Sequence, residues 1–373
     1  MRKFLYNKKI LLYSGYHRQP WSAESFLSSG MGGTETALYN LSKCFCELGY
    51  EVFMVGDVVE GDYDGVKYRS VDSMHKNYSG SHFHCVIGAS YICFLEEFKS
   101  FSFSKSFFCI HNTENTGGWW FDWWRGSRLP EQGLPLLESS RLTNIICLTE
   151  WHKDLFCKSF PTLAAKVKIL GNAISTSSLP PVKKKTPFSF VYSSHPERGL
   201  EFLLENWSRL REEIPTATLK VCTPDYGLSY FNEIKEKILS NWDTHLNWVG
   251  VDFIGAVSQK ELHNILSSTD YWIYPTTYEE TYCITALEMQ AMRVCCVASR
   301  VAALQDTIAN RGILIGDEFK DKEEFFNQFV SNVIYLEGSP QDKKKLLDRA
   351  QEWAYSQSWE ARAREWANLI EFN

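Results

Sequence analysis

The strongest constraint on the fold of this chain is a repeated alternation between short apolar runs and longer amphipathic segments. Such alternation predicts βα units and a parallel sheet, because each buried strand needs a helix to cover it. The pattern stops at SLPPVKKKTP, residues 178–187, and then starts again. Prolines and lysines in this arrangement are typical of an interdomain linker. The sequence therefore predicts two α/β domains, residues 1–177 and 188–352, each a doubly wound, Rossmann-like sheet.

The apolar runs mark the predicted strands of both domains. Those of the first domain span residues 10–14, 51–55, 85–89, 107–110, 145–148 and 167–170. Those of the second domain span residues 188–192, 219–222, 253–254, 271–274, 294–298 and 313–315. Sheets of this kind bind ligands at the carboxyl ends of their strands, so we expect the site in a cleft between the two domains.

Local signals predict several of the helices. Apolar residues recur at helical spacing over residues 38–48 and stop at Gly49, a residue typical of helix C-termini. A further helix is predicted over residues 200–213, and residues 258–261 have the spacing of a capping box before another. The tryptophan-bearing tail, residues 353–373, is predicted to be helical and to pack back on the first domain.

Composition narrows the class of protein. The chain has 373 residues, 44% of them hydrophobic and 23% charged, as in soluble globular proteins of two domains. Its net charge of -6 gives no reason to expect a nucleic-acid partner. Eleven scattered cysteines without a Cys-x-x-Cys pair indicate reduced thiols. The N-terminus lacks a signal-peptide core and no apolar run is long enough to cross a bilayer. We therefore expect a cytoplasmic protein, with peripheral membrane contact left open.

The segment YPTTYEETYCITALEMQAM, residues 274–292, carries the most informative pair of charged residues. A strand comes first, and a helix is predicted to begin near Thr281 or Tyr282. Glu280 then lies just before the helix, and Glu288 lies about two turns inside it. By itself, a pair of glutamates at this spacing is more often solvated than functional.

The start of that helix suits an anionic ligand. Its exposed N–H groups, at Tyr282, Cys283 and Ile284, would meet a diphosphate at the positive end of the helix dipole. A carboxylate at Glu280 can accept hydrogen bonds from sugar hydroxyls, and Glu288 can bind a ribose diol. The sequence therefore makes this segment the first candidate for a site.

Three further positions along the chain also have both a functional and a purely structural explanation. Gly32 and Gly33 precede a helix and let the backbone approach a ligand closely, although a tight turn explains the same glycines. Arg198 stands at a helix start, where a cation is poorly placed unless an anion joins it. His111 follows the apolar run FFCI at a strand end, where it either lines a ligand site or is simply hydrogen-bonded.

In their order along the chain, these elements resemble glycosyltransferase family 4, a family of the GT-B fold. The matching segments are Gly32-Gly33-Thr34-Glu35, His111, Gly171-Asn172-Ala173-Ile174, Ser193-Ser194-His195-Pro196-Glu197-Arg198-Gly199-Leu200, and the pair Glu280 and Glu288. The resemblance covers nearly the whole chain. It implies an enzyme that transfers a sugar, with retention, from a nucleoside-diphosphate-sugar to a sugar, glycan, lipid-linked or other hydroxyl acceptor.

The resemblance also implies a role for each residue. Arg198 would pair with the diphosphate, Glu280 would hold the donor sugar, and Glu288 would hold the ribose. His111 would contact the donor sugar rather than bind a metal. A second cation is common in the turn that contains Arg198, whereas this sequence has Ser193 there. No metal ion or other cofactor is implied.

Two remaining segments have competing explanations. The run GGWWFDWWRG, which includes Trp119, Trp120 and Trp123, suits an acceptor platform, a membrane-touching loop or a hydrophobic plug. The sequence DYD at residues 62–64 has the form of a metal-binding motif, but its glycine-rich surroundings favour a polar turn.

Other functions fit the same fold. A nucleotide-sugar epimerase or a glycosyl phosphorylase would keep the architecture and change the reaction. A sugar-binding protein would also have two lobes, but it has no need of a cation such as Arg198 poised for a diphosphate. The base, the sugar, the acceptor and the linkage stay open, because a fold does not determine a substrate.

Overall fold

The computed structural model of the protein describes residues 8–17, 19–28, 31–113, 130–223, 249–316 and 321–372. The chain divides into two compact units, each with its own sheet. The first unit comprises Met1–Ala173 and Ser358–Asn373, and the second comprises Ile174–Gln357. Residues 178–187, predicted to be a linker, therefore belong to the second unit.

The N-terminal part of the first unit alternates strands and helices. Its strands are β1 (Lys9–Gly15), β2 (Glu51–Gly56), β3 (Gly61–Tyr63), β4 (Val66–Arg69), β5 (His82–Ala89), β6 (Ser102–Cys109), β7 (Asn144–Cys147) and β8 (Val167–Ile169). Its helices are α1 (Ala23–Ser28), α2 (Gly33–Leu48), α3 (Val71–Tyr78), α4 (Phe94–Glu97), α5 (Pro130–Glu138) and α6 (Glu150–Ser159).

The sheet of the first unit has the order β3-β4-β2-β1-β5-β6-β7-β8, and only β3 and β4 pair antiparallel. Strand β1 lies where the order reverses, between β2 and β5. The central strands are covered on both faces, and their buried side chains include Leu11, Leu12, Phe53, Met54, Val86 and Ile87. Strands buried on both faces explain the continuous apolar runs in the sequence.

Strands β3 and β4 form a hairpin that the apolar runs did not predict. The expected polar turn is confirmed at Asp64 and Gly65, whose φ angles are 51° and 83°. Positive φ at both central residues is the geometry of a two-residue hairpin, for which Asp-Gly is favoured. Asp62 belongs to β3, and its Oδ1 lies 2.7 Å from Nη2 of Arg69 in an ion pair.

The second unit repeats the alternation. Its strands are β9 (Ser189–Ser193), β10 (Thr218–Cys222), β11 (Val251–Phe253), β12 (Tyr271–Tyr274), β13 (Cys295–Ser299) and β14 (Ile313–Ile315). Its helices are α7 (Leu200–Glu205), α8 (Trp207–Glu213), α9 (Gln259–Leu266), α10 (Ile284–Ala291), α11 (Leu304–Thr307), α12 (Lys322–Gly338) and α13 (Pro340–Ser356).

The sheet of the second unit has the order β11-β10-β9-β12-β13-β14, with every pair parallel. Counted within the unit, this is the 3-2-1-4-5-6 order of the Rossmann fold. An aromatic cluster fills one face, where Phe190 stacks on Tyr271 and meets Trp207 and Phe329 edge-on. The predicted Rossmann-like sheet is therefore confirmed for this unit.

The helix predicted over residues 200–213 is two helices, α7 and α8. The break lies at Asn206, whose side-chain Nδ2 donates to the carbonyl oxygen of Phe202 at 2.9 Å. A side-chain amide that competes for a helical carbonyl offers the backbone an alternative to a continuous helix. The single-helix prediction was wrong for this local reason.

Residues 183–186 are hydrogen-bonded to the rest of the second unit, since the N–H groups of Lys183 and Thr186 donate to the carbonyl oxygens of Ser267 and Ser268. The ammonium of Lys185 donates to the carbonyl oxygens of Leu266 and Met292, both at 2.7 Å. Leu266 ends α9 and Met292 follows α10, so this one cation satisfies carbonyl groups at two helix C-termini. The segment predicted to be an interdomain linker is therefore hydrogen-bonded to helices of the second unit.

The tail also differs from the single predicted helix. Helix α13 ends at Ser356 and a separate helix, α14 (Trp359–Phe372), follows. The hydroxyl of Ser358 accepts the N–H of Ala361 at 3.2 Å and caps the new helix. Helix α14 belongs to the first unit, where Trp366 meets the ring of Phe107 edge-on.

Two local predictions are confirmed. Helix α2 ends at Gly49, which has a φ of 100° and donates its N–H to carbonyls of the last turn. Ser258 and Glu261 form a reciprocal capping box at the start of α9.

Candidate functional site

The two segments that carry the predicted site in the second unit emerge side by side. Strands β9 and β12 are neighbours, and β9 leads to β10 on one side whereas β12 leads to β13 on the other. The carboxyl ends of strands at such a reversal leave an opening in which ligands of α/β sheets bind. Arg198 follows β9 and Glu280 follows β12, so both lie at this point.

Arg198 and Glu280 form an ion pair. Nη1 of Arg198 lies 2.9 Å from Oε1 of Glu280, and the hydroxyl of Tyr274 donates to the same oxygen at 2.6 Å. The guanidinium also lies over the ring of Tyr278, 3.7 Å from its centroid. Burial opposes the charge of Arg198, but the Glu280 carboxylate, Tyr274 and Tyr278 together outweigh burial and raise the pKa of Arg198 above its ordinary value. Separate roles were predicted for these two residues from the sequence, but their contact was not predicted.

One N–H group of Arg198 lacks a hydrogen-bond acceptor among the described residues. Its Nε is buried and has no hydrogen-bond partner among the described residues. A buried N–H without an acceptor is unfavourable by about 1–3 kcal/mol, so such groups usually have a partner when the protein functions. Nε of the guanidinium is therefore the group that a further acceptor would satisfy.

The turn that contains Arg198 approaches the end of β12 closely. Gly199 has a φ of 108°, and a Cβ atom there would lie 2.0 Å from the carbonyl oxygen of Pro275. Only glycine satisfies both conditions. The hydroxyl of Tyr192 donates to the carbonyl oxygen of His195 at 2.6 Å and fixes the other side of the turn.

The helix after Glu280 begins later than predicted. Helix α10 starts at Ile284, and Cys283 precedes it in the left-handed region with a φ of 66°. The prediction of a start at Thr281 or Tyr282 was wrong, because the chain makes a turn there before it becomes helical. The side chain of Tyr282 is buried, and burial raises the pKa of the Cys283 thiol, which keeps it neutral.

Glu288 lies one turn inside α10 and is 5% exposed. Its Oε1 accepts hydrogen bonds from Nε2 of His263 and Nε2 of Gln259, each at 2.9 Å. Both donors come from α9. The alternative interpretation, a solvated surface charge, is therefore wrong. Oε2 has no hydrogen-bond donor among the described residues, so one carboxylate oxygen is held and the other is available.

His111 lies in the first unit, directly after β6. Its Nε2 is 3.5 Å from Sγ of Cys109. Burial lowers the pKa of His111 to about 4 although Glu35 opposes the shift, so the imidazole is neutral near pH 7. The buried ring of His152 supports the loop, since its Nδ1 accepts the N–H of Leu148 and its Nε2 donates to the carbonyl oxygen of Asn112.

Gly32 and Gly33 lie at the start of α2, and Gly33 is its first residue. The carboxylate of Glu35 folds back over this end, so that a Cβ atom at Gly32 would lie 2.4 Å from Oε2 of Glu35. Oε1 lies 3.2 Å from Nδ1 of His17, whose Nε2 donates to the carbonyl oxygen of Ser14 at 3.1 Å. Burial alone would raise the pKa of Glu35, but the hydrogen bond to His17, the charge interactions with His17 and His111 and a backbone hydrogen bond together lower it.

The geometry at α2 corrects one expectation. We expected the positive end of this helix to be open to phosphate, but the structure places a carboxylate there. Glu35 and His17 were not predicted to have roles of their own. An acidic residue in the first turn of a helix was the available signal for Glu35, because such residues favour the positive helix end.

The aromatic candidates Trp119, Trp120 and Trp123 lie outside the described residues. Among the described residues, no group of three or more His, Cys, Asp and Glu side chains could hold a metal ion. In the same part of the chain, no helix is both long and apolar enough to cross a membrane.

Comparison with known proteins agrees with this architecture. Residues 187–332 match the family model described as glycosyl transferases group 1. No curated protein matches the chain by sequence. The matched residues contain the turn at Arg198, the ion pair with Glu280 and the buried Glu288.

Several solved structures share the fold over nearly the whole chain. Sucrose-phosphate synthase from Thermosynechococcus elongatus has a TM-score of 0.74 at 15% identity, covering 97% of this chain and 98% of its own. A glycosyltransferase from Rickettsia africae has a TM-score of 0.72 at 14% identity, covering 98% of each chain. HepE from Anabaena, in complex with UDP and glucose, has a TM-score of 0.68 at 12% identity, covering 97% of this chain and 99% of its own.

The protein has the GT-B fold, with two parallel-sheet domains of the kind found in glycosyltransferases. Its second unit carries the sequence match to group 1 of those enzymes.

Proposed function

We propose that this protein is a retaining glycosyltransferase that moves a sugar from a nucleoside-diphosphate-sugar to a hydroxyl acceptor. The observation that carries the proposal is the position of Arg198 and Glu280. A cation suited to a diphosphate and a carboxylate suited to sugar hydroxyls lie together where the strand order of the second unit reverses. The match to glycosyl transferases group 1 covers both residues.

The reaction breaks the bond between the anomeric carbon and a phosphate oxygen, and it forms a bond from that carbon to the acceptor oxygen. Negative charge grows on the departing diphosphate, and one of its phosphate oxygens takes up the proton that the acceptor hydroxyl loses. Arg198 and the N–H groups at Cys283 and Ile284 stabilise that charge in the transition state. Retention at the anomeric carbon follows from the resemblance to glycosyltransferase family 4.

The carboxylates position the donor. Glu280 accepts hydrogen bonds from hydroxyls of the transferred sugar. Glu288 accepts from the ribose diol through Oε2, while His263 and Gln259 hold Oε1 in place. A neutral His111 hydrogen-bonds to the donor sugar without adding a charge. No step of this scheme requires a metal ion.

UDP-sugars are the first donors to test. HepE, which shares the fold, was solved in complex with UDP and glucose. We further propose that the acceptor is a sugar, glycan or lipid-linked hydroxyl, and that the protein works in the cytoplasm with peripheral contact to a membrane as one option.

Incubation with radiolabelled UDP-, GDP- and ADP-sugars and a panel of acceptors tests the proposal. A transferase releases nucleoside diphosphate in step with the labelled product. An epimerase converts the sugar, a phosphorylase requires inorganic phosphate for cleavage, and a binding protein leaves the donor intact. A donor present at a concentration of a hundred times its Kd adds about 2.7 kcal/mol to the free energy of unfolding. A thermal-shift screen is therefore a rapid first step.

A further inference from the structure

Arg198 and Glu280 are proposed to bind different parts of the nucleotide-sugar, but in this structure they are hydrogen-bonded to each other. Nη1 of Arg198 donates to Oε1 of Glu280 at 2.9 Å. In the proposed function, Arg198 binds the diphosphate and Glu280 binds the sugar. Neither residue can make its full set of donor contacts while this hydrogen bond occupies the same atoms.

We infer that the Arg198–Glu280 ion pair is an exchange device that makes the site favour a sugar-bearing nucleotide over the free nucleoside diphosphate. This inference rests on the proposed function. The diphosphate replaces Glu280 as the partner of Arg198, and the hydroxyls of the sugar replace Arg198 as the partner of Glu280.

The surroundings of Arg198 favour such an exchange. The guanidinium is already oriented by the ring of Tyr278, and its buried Nε has no acceptor among the described residues. Nε therefore gains its missing acceptor when the guanidinium turns from Glu280 to a phosphate group. Guanidinium groups bind phosphate through two such donors.

The surroundings of Glu280 make the exchange selective. Its side chain is 12% exposed, and among the described residues Tyr274 is the one other donor to Oε1 besides Arg198. A free nucleoside diphosphate takes Arg198 and leaves this carboxylate with one donor, close to another negative group. A nucleotide-sugar takes Arg198 in the same way but supplies hydroxyl donors to Glu280. An uncompensated buried charge is unfavourable, so the free diphosphate binds less well.

The same exchange promotes product release. When the sugar leaves with the acceptor, Glu280 loses its hydroxyl partners. The carboxylate then returns to Arg198 and competes with the remaining diphosphate for that cation. The site thereby binds the nucleotide-sugar through both residues. It releases the nucleoside diphosphate when the Arg198–Glu280 ion pair forms again.

Glu280→Gln tests the inference, because the amide has nearly the same shape but no charge. Calorimetric titration with UDP, GDP and ADP would compare the variant with the wild-type protein. We expect the free diphosphate that binds the wild type to bind the variant about tenfold more tightly, which corresponds to about 1.4 kcal/mol. The corresponding nucleotide-sugar gains less, so the preference for the sugar-bearing form decreases. A side chain with a purely structural role would not produce this gain in affinity.

Two controls sharpen the test. Tyr274→Phe removes the other hydrogen bond to Oε1 and keeps the charge, so it should not tighten diphosphate binding. Glu280→Ala, measured alongside, should change the affinity in the same direction as Glu280→Gln and serves if the glutamine variant folds poorly.

Unchanged or weaker diphosphate binding in both Glu280 variants would overturn the exchange while leaving the proposed function intact. If no nucleoside diphosphate and no nucleotide-sugar binds the wild-type protein, the proposed function itself is wrong and the exchange is wrong with it.

Discussion

A Cβ atom added at Gly199 would lie 2.0 Å from the carbonyl oxygen of Pro275. The absence of a side chain at Gly199 therefore lets the turn that carries Arg198 lie directly against the loop that leads to Glu280. The approach is backbone against backbone, so no side-chain rotation can relieve a clash there. The ion pair of the site therefore depends on a residue that has no functional group.

Gly199→Ala should lower the free energy of unfolding by about 3 kcal/mol, because it combines the steric clash with an unfavourable positive φ. It should also weaken nucleotide binding, since Arg198 moves with the turn. Urea denaturation and calorimetric titration would measure the two effects.

Gly255→Ala is the matched control for this substitution. Gly255 also has a positive φ, of 82°, but no atom of the described residues lies within 4 Å of the added Cβ. Only the backbone term of about 1–2 kcal/mol should appear. Equal losses in the two variants would show that the approach to Pro275 is not tight.

Glu280→Ala should reduce glycosyl transfer at least about a hundredfold, by analogy with the loss of other groups that stabilise a transition state. The melting temperature should change little, because the remaining Arg198 side chain is 26% exposed and can be hydrated. Release of nucleoside diphosphate in the presence of acceptor is the measurement. Glu279→Ala is the control, since it removes the neighbouring carboxylate and leaves the ion pair. Full activity in Glu280→Ala would remove the main catalytic assignment.

His263→Ala should destabilise the second unit by about 2 kcal/mol, because it removes one hydrogen-bond donor from the buried carboxylate of Glu288 and leaves Gln259 as its donor among the described residues. Glu288→Gln should cost less, about 1 kcal/mol, since an amide carries no charge. The double variant should be less destabilised than the sum of the two. Urea denaturation of the three variants gives the coupling, and strict additivity would contradict a direct interaction.

Stability should fall as the solution becomes acidic, partly through His111. An unfolded histidine titrates near pH 6.5, whereas burial lowers the pKa of His111 to about 4. The unfolded state therefore takes up protons first, and the free energy of unfolding decreases from about pH 6.5 down to pH 4. At pH 5 the share of His111 is about 2 kcal/mol.

Urea denaturation at pH 7.5 and pH 5 would measure this loss. His111→Asn should reduce the loss, and His152→Asn should do the same, because burial lowers the pKa of His152 to about 3. An identical pH dependence in the wild type and in His111→Asn would mean that the imidazole is already accessible to protons.

The local features of this fold could be predicted from the sequence because each depends on neighbouring residues. The strand over residues 271–274 was predicted with its observed bounds, and the helix end at Gly49 and the capping box at Ser258 follow from the same short-range rules. The division of residues 200–213 into two helices was missed, because it depends on how one side-chain amide, that of Asn206, competes for a carbonyl.

The candidate residues were predictable individually, but their partners were not. Sequence patterns identified Arg198, Glu280 and Glu288 as candidates. Only the tertiary structure brought Arg198 to Glu280 across 82 positions of the chain. It also brought His263 to Glu288, which converts a predicted surface or ligand-binding glutamate into a buried, hydrogen-bonded one.

The sequence by itself determined that this chain forms two parallel α/β sheets, since alternating apolar and amphipathic runs leave few other ways to bury the strands. The tertiary structure decided which charges meet at the ends of those strands. The physical reason is that strand order brings distant segments together, whereas periodicity reports only on residues a few positions apart. Glu35 illustrates the difference, because its ion pair joins the first turn of α2 to His17, which lies 18 positions earlier and just after β1.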